Sequence, residues 1–197
     1  MVPTLLIGDF ILVNKFSYGV RLPVLDTKIW DFGQPERGDV IVFRYPCDPS
    51  KDYIKRVIGM PGDTVEVNNK QVWINGEHVK RQRVGLYQGK GRNRARPRTA
   101  PEVWNESLLG VDHEMMIYPR DVDNYGGTWT VPPGHYFVMG DNRDQSADSR
   151  AWSCSHIDRS LHAFVPEENL VGKALLVWMH FDLQNGVIGW SRLGESI

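Results

Sequence analysis

The sequence has no apolar run long enough to cross a membrane as a helix. Its longest such stretch, 174–179, has six residues, against the ~20 that a spanning helix needs. The first residues lack the basic flank of a secretory leader, and Asp9 interrupts the apolar Leu5-Leu6-Ile7. A membrane anchor, if the protein has one, is therefore expected to precede residue 1. Cysteine is scarce, with only Cys47 and Cys154. That spacing fits no structural zinc site. The two can form one disulfide in an oxidising compartment or stay independent thiols, and the sequence does not choose between these. Charge of one sign is also missing: 23 basic against 24 acidic residues leave no global field to attract nucleic acid. There is no internal repeat and no low-complexity tract.

Helical periodicity is scarce too, and what remains reads as strand. Expected strands are 10–13, 39–43, 53–59, 64–67, 71–74, 77–79, 129–131, 135–139 and 170–178. They are punctuated by Asn68-Asn69, Asn75-Gly76 (a hairpin signal) and Pro132-Pro133-Gly134. The segment 166–169 can make one helical turn, with Pro166 at an allowed first position. The expected class is mainly β, with coiled antiparallel sheets, a small barrel-like part and little helix. Between 80 and 98 there are eight basic residues and no acidic one, leaving 15 basic against 24 acidic elsewhere. This stretch is read as a solvated basic loop, with anionic lipid head groups as its functional alternative.

Lys55 is the unusual residue. It interrupts an apolar strand, sharing one face with Val57 and Gly59 while Ile54, Arg56 and Ile58 share the other. A lysine pressed against apolar surface loses hydration and favours its neutral form. A neutral amine can take a proton from a hydroxyl nucleophile. An edge-strand lysine in water is the plainer reading, and this segment alone leaves both open. The segment 140–150 is dense in turn formers and charge: Asp141, Asn142, Arg143, Asp144, Ser146, Asp148, Arg150. Such a run is either a loop fixed by its own hydrogen bonds or a brace behind a site.

Several segments in order resemble the conserved boxes of type I signal peptidases. Met1-Val2-Pro3-Thr4-Leu5-Leu6-Ile7-Gly8-Asp9 resembles the box directly after that family's nucleophilic serine. The segment 35–43 resembles the box before the lysine, and Lys55-Arg56-Val57-Ile58-Gly59-Met60-Pro61-Gly62-Asp63 resembles the lysine box. Residues 140–150 resemble the Gly-Asp-Asn-Arg-Asp-Asn-Ser-x-Asp-Ser-Arg box, and 164–166 and 169–174 resemble the family's segments C-terminal to that box. The middle, about 64–135, matches weakly. Gln145 replaces the usual Asn. Residues 153–163, with Cys154, His156 and His162, form an insertion that is read as a surface loop.

The resemblance implies a signal peptidase and repressor-peptidase type of fold. It implies a core of 1–63 and 136–197 with 64–135 inserted. It further implies a Ser–Lys endopeptidase that removes signal peptides from exported preproteins through an acyl-enzyme. Lys55 would be the general base and Ser146 would hydrogen-bond and orient it. Asp148 would pair with Arg150, and Asp141 and Arg143 would brace the same region. Met1, Leu5, Ile11, Tyr53 and Ile54 would line two shallow substrate pockets. The nucleophile would directly precede Met1, so the chain as written is expected to be inactive. No cofactor or metal is implied. The expected partners are signal peptides and the membrane surface, with no nucleic acid, and the protein is expected to be a monomer. It would sit at the bacterial cytoplasmic membrane with its catalytic part on the outer face, where Trp178, Phe181 and Trp190 are candidates to dip into lipid. Two alternatives are a self-cleaving repressor-type peptidase and a non-catalytic β module that binds lipid through 80–98.

Overall fold

The computed structural model describes residues 1–21, 28–30, 33–89, 100–122, 125–182 and 186–197. Among these the strands are, in chain order, β1 (Asp9–Asn14), β2 (Val20–Arg21), β3 (Lys28–Trp30), β4 (Val40–Tyr45), β5 (Asp48–Gly59), β6 (Thr64–Asn68), β7 (Gln71–Ile74) and β8 (Glu77–His78). They continue with β9 (Lys80–Leu86), β10 (Glu102–Leu108), β11 (Val111–Ile117), β12 (Gly127–Thr130), β13 (His135–Met139), β14 (Val165–Pro166), β15 (Leu170–Asp182) and β16 (Val187–Gly189). The only helical elements among the described residues are two single 3-10 turns, Glu167–Asn169 and Trp190–Arg192.

The largest sheet has the order β1-β15-β4-β5-β13-β14, with β16 paired to β15. Two further sheets, β11-β10-β9 and β12-β6-β7-β8, come from the middle of the chain, and β2 pairs with β3. The strand pairs are antiparallel, and among the described residues no sheet closes into a barrel. Local chemistry sets the hairpins. Asn69 (φ 47°) and Lys70 (φ 60°) turn β6 into β7, one residue later than the expected Asn68-Asn69. Asn75 (φ 53°) and Gly76 (φ 81°) turn β7 into β8 as expected. Both are positive-φ pairs that match the twist of the strands they join.

Alternation along β5 and β13 builds two cores at once. Ile58, Phe137 and Met139 pack with Val65, Val72, Ile74 and Leu108 of the middle sheets. Val57, Tyr136 and Val138 pack on the other face with Ile41, Phe43, Trp152 and Leu170. β13 and the Arg56–Gly59 end of β5 are thus covered on both sides. Gly59 marks the closest approach, since a Cβ there would meet Val65 at 2.7 Å and Val131 at 2.9 Å.

Two expectations are corrected. The stretch 80–86 is a paired strand, not a loop: its backbone completes the sheet with β10 while its side chains stay largely in solvent. The remainder of the basic stretch, 90–98, lies outside the described residues. Pro166 precedes the 3-10 turn as an extended cap (φ −64°, ψ 144°) rather than opening it.

The double coverage generates a test. Phe137, wholly buried and in ring contact with Trp129 at 5.0 Å and Phe164 at 6.3 Å, is expected to cost ~3–5 kcal/mol when changed to Ala. The urea midpoint, monitored by tryptophan fluorescence, measures this.

Candidate active site

Lys55 lies on β5, half-buried, with Tyr53 on the same face and its ring centroid 5.4 Å from the amine. Burial pulls the Lys55 amine below the ordinary lysine value. The carboxylates of Asp148 and Asp141 oppose that shift, and the cation of Arg150 adds to it. The arrangement therefore shifts the balance toward the free amine.

The loop after β13 comes to Lys55 through Gly140. A side chain at that position would collide with Ser146 Oγ and lie 3.8 Å from the Lys55 chain. Only a residue without a Cβ lets the serine and the lysine share this space. Ser146 is buried, and its Oγ forms no hydrogen bond of normal geometry. The expected bond to Lys55 is therefore not formed. Ser146 lies close to the Asp148 carboxylate and helps hold it ionised.

Asp148 is the anchor of the loop. It accepts from Gly140 N at 2.9 Å and from Arg150 Nε and Nη2 at 2.9 and 2.8 Å. Arg150 also donates to Arg143 O at 2.7 Å. Burial alone would raise the Asp148 carboxyl, but Arg150 outweighs it and holds the group below the usual range. The expected Asp148–Arg150 pair is present.

Asp141 and Arg143 brace the region through other partners. Asp141 takes two bonds from Arg56, Nε to Oδ1 and Nη2 to Oδ2, both 2.9 Å, and a third from Thr4 Oγ1 at 2.5 Å. Arg56 also donates to Gly38 O at 2.8 Å. Arg143 pairs in fork fashion with Glu106 of β10, one arm at 2.8 Å. His113 of β11 lies between the two pairs, 3.4 Å from Glu106 and 3.9 Å from Asp141. Backbone bonds tie the same loop to β11, from Met116 N to Asp141 O (2.8 Å) and from Arg143 N to Met116 O (3.0 Å). Sequence reading missed Thr4, Arg56, Glu106 and His113 as site residues. A charge at Arg56 in an otherwise apolar strand was the available signal. No local pattern marks Glu106 or His113.

The N-terminal turn completes the site. Leu5 N donates to Met1 O at 3.0 Å. Asp9 accepts from Leu6 N at 2.7 Å and is held by His180 at 2.7 Å and Arg192 at 2.9 Å, while Arg192 also donates to Thr4 O at 2.8 Å. Gly8 (φ 102°) has the Phe181 carbonyl against it, which leaves no room for a Cβ. Burial lowers the Met1 amine below its ordinary value, and the nearby charges of Asp141 and Lys55 act on it in opposite senses. The start of the turn and the lysine line the same cleft.

A cleft of about 430 Å³ opens there, lined by Met1, Val2, Leu5, Leu6, Ile7, Asp52, Tyr53, Ile54, Lys55 and Ala147. Met1, Leu5, Tyr53 and Ile54 are brought together as expected. Ile11 is not among them, because β1 carries it away along β15 to a place opposite Val177. Cys47 and Cys154, left open by the sequence, are joined in a disulfide with Cα atoms 5.0 Å apart. His156 faces Pro46 O at 3.3 Å and His162 faces Ile157 O at 2.6 Å, so each has a backbone partner. The strands β1 and β15 also present exposed apolar side chains: Phe10, Leu12 and Trp178, with Trp190 beyond them 71% exposed. Phe181 is half-buried.

A partly desolvated amine, a braced acidic loop and an apolar cleft thus meet on a β scaffold. Residues 1–179 match the family model for signal peptidase, peptidase S26, and the chain belongs to that family. It is 50% identical to a signal peptidase I of Pseudomonas fluorescens over 91% of this chain and 61% of that protein. It is also 50% identical to a signal peptidase I of Pseudomonas aeruginosa, over 98% of this chain and 67% of that protein. The chain thus spans about three fifths of the length of the first of these relatives. A solved signal peptidase I from Enterococcus faecalis, 26% identical, superposes with a TM-score of 0.39 over 73% of this chain and 98% of that one, too low to carry any point of geometry.

The buried histidine gives a pH test. Burial, with Arg56 adding to it, lowers His113 from 6.5 to about 4 against the pull of Asp141 and Glu106, and Arg143 also faces it. The folded state holds it neutral while the unfolded chain takes up a proton below pH 6.5. Its stabilising share is complete above that pH and is lost as pH falls toward 4, about 3 kcal/mol in all. The urea midpoint of His113→Gln is expected to vary less with pH across this window than that of the parent.

Proposed function

We propose that this chain is the catalytic part of an endopeptidase that removes N-terminal signal peptides from exported preproteins. The observation that carries the reading is the Lys55 amine, partly shielded from water in the cleft that Met1 also lines. A serine joined to Met1 would have its hydroxyl within the same confined space. The amine takes the hydroxyl proton as the oxygen attacks the carbonyl before the scissile bond. The tetrahedral species expels the new N-terminal amine, which receives that proton from Lys55. Water, deprotonated in turn by Lys55, then attacks the acyl-enzyme and releases the signal peptide, and Lys55 returns the proton to the departing serine oxygen. Ser146 and the lysine chain share the space over Gly140, and Asp148 with Arg150 keeps the Ser146 turn in place. Asp141 and Arg143 fix the loop from behind. No metal or organic group is required for this chemistry.

Signal peptides end in small residues at the first and third positions before the cut. A shallow cleft lined by Met1, Leu5, Tyr53 and Ile54 suits such side chains and excludes larger ones. The substrate lies extended beside β5 through main-chain bonds. The exposed Phe10, Leu12, Trp178 and Trp190 support contact with a membrane surface close to the cleft, with Ile7 on the cleft rim. The disulfide supports an oxidising location, on the outer face of the cytoplasmic membrane. The protein works as a monomer with no role for nucleic acid. The division into a core, 1–63 and 136–197, and an inserted unit, 64–135, belongs to this reading and is supported by which strands share a sheet.

Two measurements test it. A chain extended by the relatives' preceding segment, with serine joined to Met1, is expected to cut a preprotein at its signal-peptide junction. Lys55→Ala should lower kcat by at least ~1,000-fold. The acid limb of kcat/KM should fall below the ordinary lysine value, because the amine must be free. Absence of cutting, or equal cutting by Lys55→Ala, overturns the reading. Separately, Trp178→Ala with Trp190→Ala is expected to weaken co-sedimentation with phospholipid vesicles while leaving cleavage of a short soluble peptide intact.

A further inference from the structure

The β4–β5 hairpin extends well past the lysine. β5 pairs with β13 only over Arg56 to Gly59, so residues 48–55 have one edge without a strand partner among the described residues. Val57 bonds toward the β4 side through both its N–H and its C=O, to Asp39 O (2.8 Å) and Gly38 N (2.9 Å). By alternation Ile54 and Asp52 turn their backbone groups to the open edge. An extended peptide laid there would meet those groups.

The far end of the hairpin is tied down. Cys47, in the turn between the strands, is bonded to Cys154 of the 153–163 insertion, and His156 faces the neighbouring Pro46 carbonyl. A ledge of rings connects this tie to the lysine. Trp152, two residues before Cys154, lies 5.4 Å from the Tyr45 ring and 5.9 Å from that of Phe43. Tyr45 stacks on Tyr53 at 4.3 Å, with planes parallel to within 1°. Tyr53 then forms a wall of the cleft and lies 5.4 Å from the Lys55 amine. Beyond Tyr53 the residues 49–52 are exposed, and the β4–β5 register is irregular at Arg44/Tyr45. The ladder alone holds this end weakly.

We propose that the Cys47–Cys154 disulfide is a positioning element for substrate. It pins the insertion to the hairpin turn. That holds the ring ledge and the open edge of β5 in the form that receives the extended segment upstream of the cut. The inference rests on the peptidase reading above. The groups that would carry the chemistry are fixed independently: Lys55 by its own strand, Ser146 by the Asp148 loop, and the N-terminal turn by Asp141 and Arg192. Losing the tie therefore affects binding and not the chemical step.

The test uses the serine-bearing extended chain, untreated and after reduction. An added dithiol attacks one sulfur to give a mixed disulfide. It then closes on itself, leaving two protein thiols and a cyclic disulfide. After the dithiol is removed, thiol titration verifies two free sulfhydryls, and Cys47→Ser with Cys154→Ser supplies a second route. Both forms are expected to raise KM for a peptide covering eight residues before the cut by about 10-fold, because the binding edge is no longer preorganised. The value of kcat should stay within about two-fold, since ground-state and transition-state binding weaken alike. Reoxidation should restore the parent and leave the double variant unchanged. An unaltered KM with two thiols counted, or a fall in kcat at constant KM, overturns the inference. The affinity of an octapeptide amide ending at the residue before the cut, read by tryptophan fluorescence, provides a separate arm. If the untreated extended chain cuts nothing, the peptidase reading fails. The disulfide's role in holding the edge is then judged by whether octapeptide affinity drops on reduction: a drop sustains it and no change overturns it.

Discussion

The two-armed contact between Arg56 and Asp141 is the constraint on which the site depends. It joins β5 to the loop after β13, and through Thr4 it reaches the N-terminal turn. Three segments far apart in the sequence meet on one carboxylate. A buried ion pair contributes little net stability, because desolvation offsets the attraction. Its value is directional. A planar guanidinium opposite a carboxylate fixes both distance and orientation, and the carboxylate of Asp141 stays ionised because Arg56 outweighs the effect of burial.

The neighbouring positions 55 and 56 divide two tasks. A strand sends adjacent side chains to opposite faces, so one face holds the amine and the other the guanidinium. Arginine keeps its charge in any protein environment, whereas lysine yields its proton when buried. Exchanging the two residues would leave a fixed cation where a proton must be taken up and a weaker, undirected one where geometry must be set. The order Lys55-Arg56 is therefore determined by chemistry as well as by packing.

Much of this was legible in the sequence because it is local. Val65 and Val67 are buried and Glu66 exposed, as strict alternation requires. Asn75-Gly76 turned where its conformational preference said it would. Lys55 stood out because it interrupts the apolar run of Ile54, Val57 and Ile58, and the order of the boxes related it to 140–150. What stayed hidden depends on long-range meetings. β10 and β11 carry Glu106 and His113 on buried positions, which breaks the apolar pattern by which strands are recognised. The polar residues are tolerated only because Arg143, Arg56 and Asp141 arrive from elsewhere. The disulfide joins positions 107 residues apart, and no spacing rule selects such a pair. Ile11 was misplaced because a linear motif does not say where β1 leaves the turn.

The sheet shared by both cores has a consequence for anyone wishing to shorten the protein. The segment between Thr64 and Thr130 looks dispensable, since the lysine, the serine loop and the opening turn all lie outside it. Yet its side chains roof the underside of Ile58, Phe137 and Met139, and its Glu106 neutralises a guanidinium with no other carboxylate bonded to it among the described residues. Trimming it would expose a greasy plane and strand a cation, so a minimal catalyst would need a substitute lid of matching shape and charge.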